Sequence, residues 1–150
     1  MKQLLQALAL LIFSSPLLAA PEILTIDSSA SPKSSDRYIR RVHKEIPTPN
    51  QTVAINRFTI LQAMLTTKGY AWTYEGEGDG FLLARFDYRG DTIIMKIEYN
   101  DALIQLKYHK AWGDYVCEND IAGVCYENAN GYYKYVKNLR RSIELQAKRT

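Results

Sequence analysis

The chain is poor in the groups that most reactive centres need. It has two cysteines and two histidines in 150 residues. Cys117 and Cys125 are not spaced as C-x-x-C, so a thioredoxin-type redox pair is not indicated. There is no G-x-S-x-G elbow. Past residue 20, every serine except Ser142 falls in an irregular N-terminal stretch, and Ser142 sits between Arg141 and Ile143 on a predicted helix. No glycine-rich phosphate loop, internal repeat or heptad run is present. Past residue 20 no apolar run is long enough to span a bilayer. His43, His109, Cys117 and Cys125 offer four metal donors, but their spacings match no common zinc module. His109 with either cysteine offers a Cys-His pair, for which a disulfide would compete. Serine, cysteine, nucleotide-phosphate and zinc chemistries are therefore not expected. The reading carries no cofactor.

The first residues read as an address. Lys2 is a minimal positive region, Leu4 to Phe13 is apolar, and Ser14-Ser15-Pro16 breaks the run before Leu17-Leu18-Ala19-Ala20. That is the pattern of a secretory signal peptide over residues 1–19, cleaved after Ala19, with no transmembrane segment left once it is removed. No cysteine lies near the cleavage site, so a lipid anchor is not expected. Export from the cytoplasm into an oxidising compartment is expected. In that compartment Cys117 and Cys125 are expected to form a disulfide. Its short loop gives about 2–3 kcal/mol at most in the chain-entropy model.

Charge is close to balanced in sum, +3 at pH 7, but segregated along the chain. Lys33 to Arg57 holds six Lys/Arg and two acids, Trp72 to Asp101 seven acids and three Lys/Arg, and Tyr132 to the end six Lys/Arg and one acid. Residues 20–51 read as an irregular, partly mobile arm, rich in serine to Ser35 and closed by Pro47-Thr48-Pro49. Within it, Tyr38 to Ile46 alternates weakly and predicts a short strand or edge segment. Residues 52–150 read as one α+β domain. Thr52 to Lys68 predicts a helix capped by Asn50 or Thr52, with Ala54, Phe58, Leu61 and Leu65 as its apolar stripe and Asn56, Thr59, Gln62 and Thr66 opposite. Four antiparallel strands follow: Tyr70 to Glu75, Phe81 to Tyr88, Asp91 to Tyr99 and Ala102 to His109. Gly76, Gly78 and Gly80 predict a flexible first loop; Arg89-Gly90 and Asn100-Asp101 predict tight turns. Residues 111–130 read as a disulfide-pinned excursion. Tyr132 to Ala147 predicts a last helix with Tyr132, Tyr135, Val136, Leu139 and Ile143 on one side. Lys134, Lys137, Arg141 and Lys148 form a basic stripe almost opposite. The expected architecture is helix, four-stranded antiparallel meander, excursion, helix, with both helices on one face of the sheet.

Three short stretches imitate functional motifs. Glu75-Gly76-Glu77-Gly78-Asp79-Gly80 resembles half a calcium loop, but the closing acid would fall at Phe86. The pair Glu75 and Glu77 lacks the apolar surroundings that raise a catalytic carboxyl. Arg89-Gly90-Asp91 is the adhesion tripeptide, at a position where a hairpin turn alone accounts for the glycine.

Gly69-Tyr70-Ala71-Trp72, Lys96-Ile97-Glu98-Tyr99, Gln105-Leu106-Lys107-Tyr108 and the run Tyr132 to Leu139 resemble a family of small exported proteins and lipoproteins of proteobacteria that has no assigned activity. The resemblance covers about residues 53–143. Tyr133 stands where that family has Asn, and Tyr135 where it has Trp. It implies a Gram-negative envelope location and no mechanism.

Taken together, the expected function is a non-enzymatic periplasmic or cell-envelope binding module. Its partner would be an anionic envelope component or an acidic protein, met through Lys134, Lys137, Arg141 and Lys148. Nucleic acid is excluded by export. Alternatives are an inhibitor of another enzyme acting through the 111–130 loop, and a small carboxylate-dependent hydrolase.

Overall fold

The computed structural model describes residues 21–30, 36–69, 71–127 and 131–150. The expected signal peptide over 1–19 and the serine-rich part of the expected arm from Ser31 to Ser35 lie outside the described residues, as do Tyr70 and 128–130. The β-rich centre follows from alternation. β4 (Asp91–Tyr99) buries Ile93, Met95, Ile97 and Tyr99 on one face and presents Thr92, Ile94, Lys96 and Glu98 on the other. β3 (Phe81–Tyr88) pairs with it antiparallel through the two-residue turn Arg89-Gly90. Both turn residues have positive φ (54° and 94°), as the tight hairpin turn requires. β5 (Leu103–Trp112) pairs on the other side of β4. A bulge opposite Ile94 and Met95 breaks the register there, and His109 is exposed. β2 (Thr73–Gly78) flanks β3.

β1 (Ile46–Pro47) adds a fifth strand, antiparallel to β5, so the order is β1-β5-β4-β3-β2. The excursion supplies the separate hairpin β6 (Asn119–Ile121) and β7 (Val124–Glu127).

Among the described residues, three helices make one layer on the apolar sheet face. α3 (Gly131–Ala147) buries Tyr132, Val136, Leu139 and Ile143 and stacks Tyr135 on Phe86, ring centroids 4.4 Å apart. α2 (Val53–Thr66) packs along one side of α3, and α1 (Asp36–His43) along the other. The fold is α+β, as the alternation and the helical stripes predict.

Three local expectations are corrected. Residues 36–43 are helical, not a strand. Ile39, Val42, His43 and Ile46 are all buried, and their spacing of three, one and three is that of a helix face running into β1. Secondly, the glycine stretch is strand: β2 continues to Gly78, with a bulge at Glu75. A Cβ on Gly78 would lie 2.5 Å from the Phe81 ring, so glycine there makes room for the aromatic across the turn. Thirdly, α2 is turned round. It buries Asn56, Thr59, Ile60, Ala63 and Met64 and leaves Ala54, Ile55, Phe58 and Leu65 exposed. Apolar residues lie on both sides of this helix, so the stripe does not decide its orientation. Asn56 does: its amide donates to Thr48 Oγ1 and to the Asn100 carbonyl, each at 2.7 Å, tying α2 to the start of the domain and to the β4–β5 turn. Thr52 caps the helix, accepting from Ile55 N–H at 3.2 Å.

Candidate functional site

The excursion is closed on itself by a disulfide and tied to the core by a histidine. Cys117 and Cys125 are bonded, as expected, with Cα atoms 5.7 Å apart. Cys125 is fully buried beside Val124 and Tyr126. Its N–H donates to His43 Nε2 at 3.0 Å, and His43 Nδ1 bonds the Leu106 carbonyl at 3.0 Å. Nε2 is thus the acceptor, so Nδ1 carries the proton. The imidazole bridges β5 and β7; one step further on, Tyr108 N–H donates to the Gly123 carbonyl at 2.7 Å. Tyr132 Oη lies 3.3 Å from the same Nε2. Burial pushes His43 down to about 4; the Leu106 bond opposes this and the Arg140 charge adds to it. Both ring nitrogens are engaged and both sulfurs are oxidised, so the four donors considered for zinc are committed elsewhere or, like His109, remote on the surface.

The basic stripe lies where the helical pattern puts it. Lys134, Lys137, Arg141 and Lys148 are all exposed on α3 or, for Lys148, just past its end. Among the described residues none of them pairs with a carboxylate. The structure adds cations that the sequence stripe missed. Between α2 and α3 runs a cleft of about 380 Å³ lined by Thr66, Lys68, Asn138, Arg141, Ser142, Leu145, Gln146 and Arg149. It holds three cations, four uncharged hydrogen-bonding side chains and no acid. Gln146 Nε2 donates to Thr66 Oγ1 at 3.2 Å across it.

On the far side of α3 a second cleft brings Arg37, Arg40, Arg41 and Lys44 of the α1 region to Arg140. Its acids are mostly committed: Asp36 to Arg40 at 2.6 Å and Glu144 to Arg140. Arg140 also donates to the Lys44 and Glu45 carbonyls at the end of α1. Arg37, Arg41 and Lys44 are left as unpaired surface cations among the described residues. The outer surface of the helical layer is therefore cationic from α1 across α3 to the α2–α3 cleft.

Acids of the sheet lie in separate ion pairs, one of which reaches α2. Glu77 bonds Arg57 at 2.8 and 3.1 Å, while Glu75 meets Arg85 at 3.4 Å, so these two carboxylates serve different arginines. Hydrogen bonding to Arg57 holds Glu77 below the usual carboxylate range. On the outer sheet face Glu98 lies between Lys107 (2.7 Å) and Lys96 (2.8 Å). Burial pulls its carboxyl up, and the two lysines more than offset that. Asp91 of the adhesion-like tripeptide accepts from Asp114 N–H at 3.3 Å. Asp120 is raised by burial and accepts from Gly123 N–H at 3.1 Å, closing the β6–β7 turn. No group of three His, Cys, Asp or Glu side chains gathers as a metal site among the described residues. Nor is any helix among them long and apolar enough to cross a membrane.

Comparison with protein-family models, with curated proteins and with solved structures finds no match.

Proposed function

We propose that this protein is a non-enzymatic binding module of the cell envelope that recognises an anionic partner through the outer surface of its helical layer. The observation that carries this reading is the exposed stripe of Lys134, Lys137, Arg141 and Lys148, unpaired among the described residues and continuous with a cleft that adds Lys68 and Arg149 and has no acid among its described lining. Cations placed this way favour a polyanion and speed its approach. A periplasmic or secreted location belongs to the same proposal: the disulfide fits an oxidising compartment, and the leader-like first residues fit export. So does the resemblance to exported proteobacterial proteins.

Retention on an immobilised polyanion such as heparin, eluted by salt, tests the reading. Lys134→Glu with Lys137→Glu and Arg141→Glu should elute at much lower salt. Arg89→Glu with Lys110→Glu, exposed cations at the ends of β3–β5, should elute nearly as the wild type does. Equal shifts in both variants would mean that net charge, and not this surface, sets retention.

A second reading, inhibition of another enzyme through the 111–130 segment, draws on exposed Trp112, Val116 and Ile121 around the disulfide-pinned hairpin. A pinned loop loses little entropy on insertion into a partner. Trp112→Ala with Ile121→Ala should abolish inhibition of a target without unfolding the domain.

A further inference from the structure

The least expected feature of the fold is the outward face of α2. Phe58 is 56% exposed, Leu65 68% and Ile55 38%, and across the α2–α3 cleft Leu145 is 48% exposed. A helix that is apolar all round is ordinarily covered on both sides. Among the described residues α2 is covered on one. Its inner face is fixed by Asn56 and by buried Ile60, Ala63 and Met64, so the outer ridge is not an alternative core face waiting to turn inward.

The surroundings of the ridge say what would cover it. Residues 50–69 contain no acid, and the one carboxylate that reaches α2, Glu77 of β2, is neutralised by Arg57. Lys68, Arg141 and Arg149 line the cleft beside it, and Lys134, Lys137 and Lys148 extend the cationic surface along α3. A second copy of the chain would bring these like-charged stripes towards one another. An exposed apolar ridge bordered along α3 by long Lys and Arg side chains, unpaired among the described residues, has instead the composition of a surface that lies in a lipid headgroup region, apolar residues inserted and cations among the phosphates.

We propose that the helical layer docks on an anionic lipid surface, with Phe58 and Leu65 of α2 entering the headgroup–acyl boundary and Lys68, Lys137 and Arg141 meeting the lipid phosphates. This rests on the anion-binding reading above and names its partner. The lysine and arginine head groups remain hydrated at the interface while their stems lie along the apolar ridge.

Co-sedimentation with vesicles tests it, using zwitterionic phosphatidylcholine alone and phosphatidylcholine with about a third phosphatidylglycerol. The protein should bind the anionic vesicles and not the neutral ones, less at high salt. Phe58→Ser with Leu65→Ser should lower the partition coefficient by roughly tenfold or more, the scale of two lost apolar insertions. Lys137→Glu with Arg141→Glu should lower it by more than tenfold, at roughly fivefold per cation removed. Phe58→Trp provides the positional readout: its emission should shift to the blue on anionic vesicles only. Several results would overturn the inference: no vesicle binding, equal binding to neutral vesicles, no loss on removing Phe58 and Leu65, or unshifted emission from the bound Phe58→Trp variant. So would concentration-dependent dimers in sedimentation velocity that vanish in the Phe58→Ser, Leu65→Ser variant, since the ridge would then be a self-association face. Stripe-dependent retention on heparin without vesicle binding would end the lipid assignment and leave the anion-binding reading standing. Loss of both would end both.

Discussion

His43 is the residue on which most of the N-terminal half is hinged, and it makes the clearest solution prediction. Its imidazole is fully buried, bonded to Leu106 and Cys125, with Tyr132 beside it and Arg140 as the charged neighbour. The folded pKa is about 4, below the ordinary histidine value of 6.5. Between those values the unfolded chain binds a proton that the folded chain refuses. The stabilisation is therefore complete above pH 6.5 and is lost as pH falls towards 4, by up to about 3 kcal/mol. Urea unfolding at about pH 7.5, 5.5 and 4.5 should show a falling midpoint. In His43→Gln this component of the slope should disappear, on a lower baseline at neutral pH. Asn56 is the second such residue. Asn56→Ala leaves the Asn100 carbonyl and Thr48 Oγ1 without their partner and should cost about 1–3 kcal/mol in the same measurement.

Helix α2 shows how an element can be legible while its orientation is not. Its extent, its Thr52 cap and its stop near Gly69 follow from the sequence. Its buried face does not, because Ile60, Ala63 and Met64 are as apolar as Phe58, Leu61 and Leu65, and a hydrogen bond to a distant carbonyl settles the matter. Mutation separates the two faces: Phe58→Ala should change stability by less than about 0.5 kcal/mol, whereas Met64→Ala should cost about 2–5 kcal/mol. Comparable losses at both would show that Phe58 is packed. Strands β3 to β5 are readable from period-two alternation and the Arg89-Gly90 turn. α1 is misread because His43 counts as polar in any pattern, although Ile39, Val42, His43 and Ile46 fall on one helical face. β2 is misread because three glycines resemble a loop when side-chain room is what they supply. The excursion is readable as a cysteine-bridged segment, but its attachment to His43 is not, since 82 residues separate the two bonded groups. That attachment raises the stakes of the disulfide. Cys117→Ala with Cys125→Ala should cost about 2–3 kcal/mol from loop entropy. It should also speed hydrogen exchange at Tyr108 and Cys125 amides; exchange faster only within residues 117–121 would mean that the hairpin is held independently.

At the scale of the whole molecule, it is the unpaired cations that gather on one layer. Among the described residues the outer surface of the helices carries Arg37, Arg41, Lys44, Lys68, Lys134, Lys137, Arg141, Lys148 and Arg149, while acids there and on the sheet are paired: Asp36 with Arg40, Glu144 with Arg140, Glu75 and Asp87 with Arg85, and Glu77 of β2 with Arg57 of α2. Such a molecule approaches a negatively charged target helices first. Raising ionic strength shortens the reach of this field from about 10 Å at 0.1 M to about 3 Å at 1 M. Association with a polyanion in stopped flow should slow steeply over that range, while the thermal midpoint, set mainly by the apolar core, should move little. An association rate insensitive to salt would remove steering from the account. The two borders of the main sheet are treated differently. β5 is sheltered by β1, His43 and Gly123, whereas β2 borders solvent along its free side, with Glu75 in a bulge and Glu77 beside two glycines. Backbone groups so exposed are a template for strand addition, which a bulge and charged, ion-paired side chains make unfavourable. The carboxylates that imitate half a calcium loop are thereby recast as part of an edge that is a poor template for a strand from a neighbouring copy.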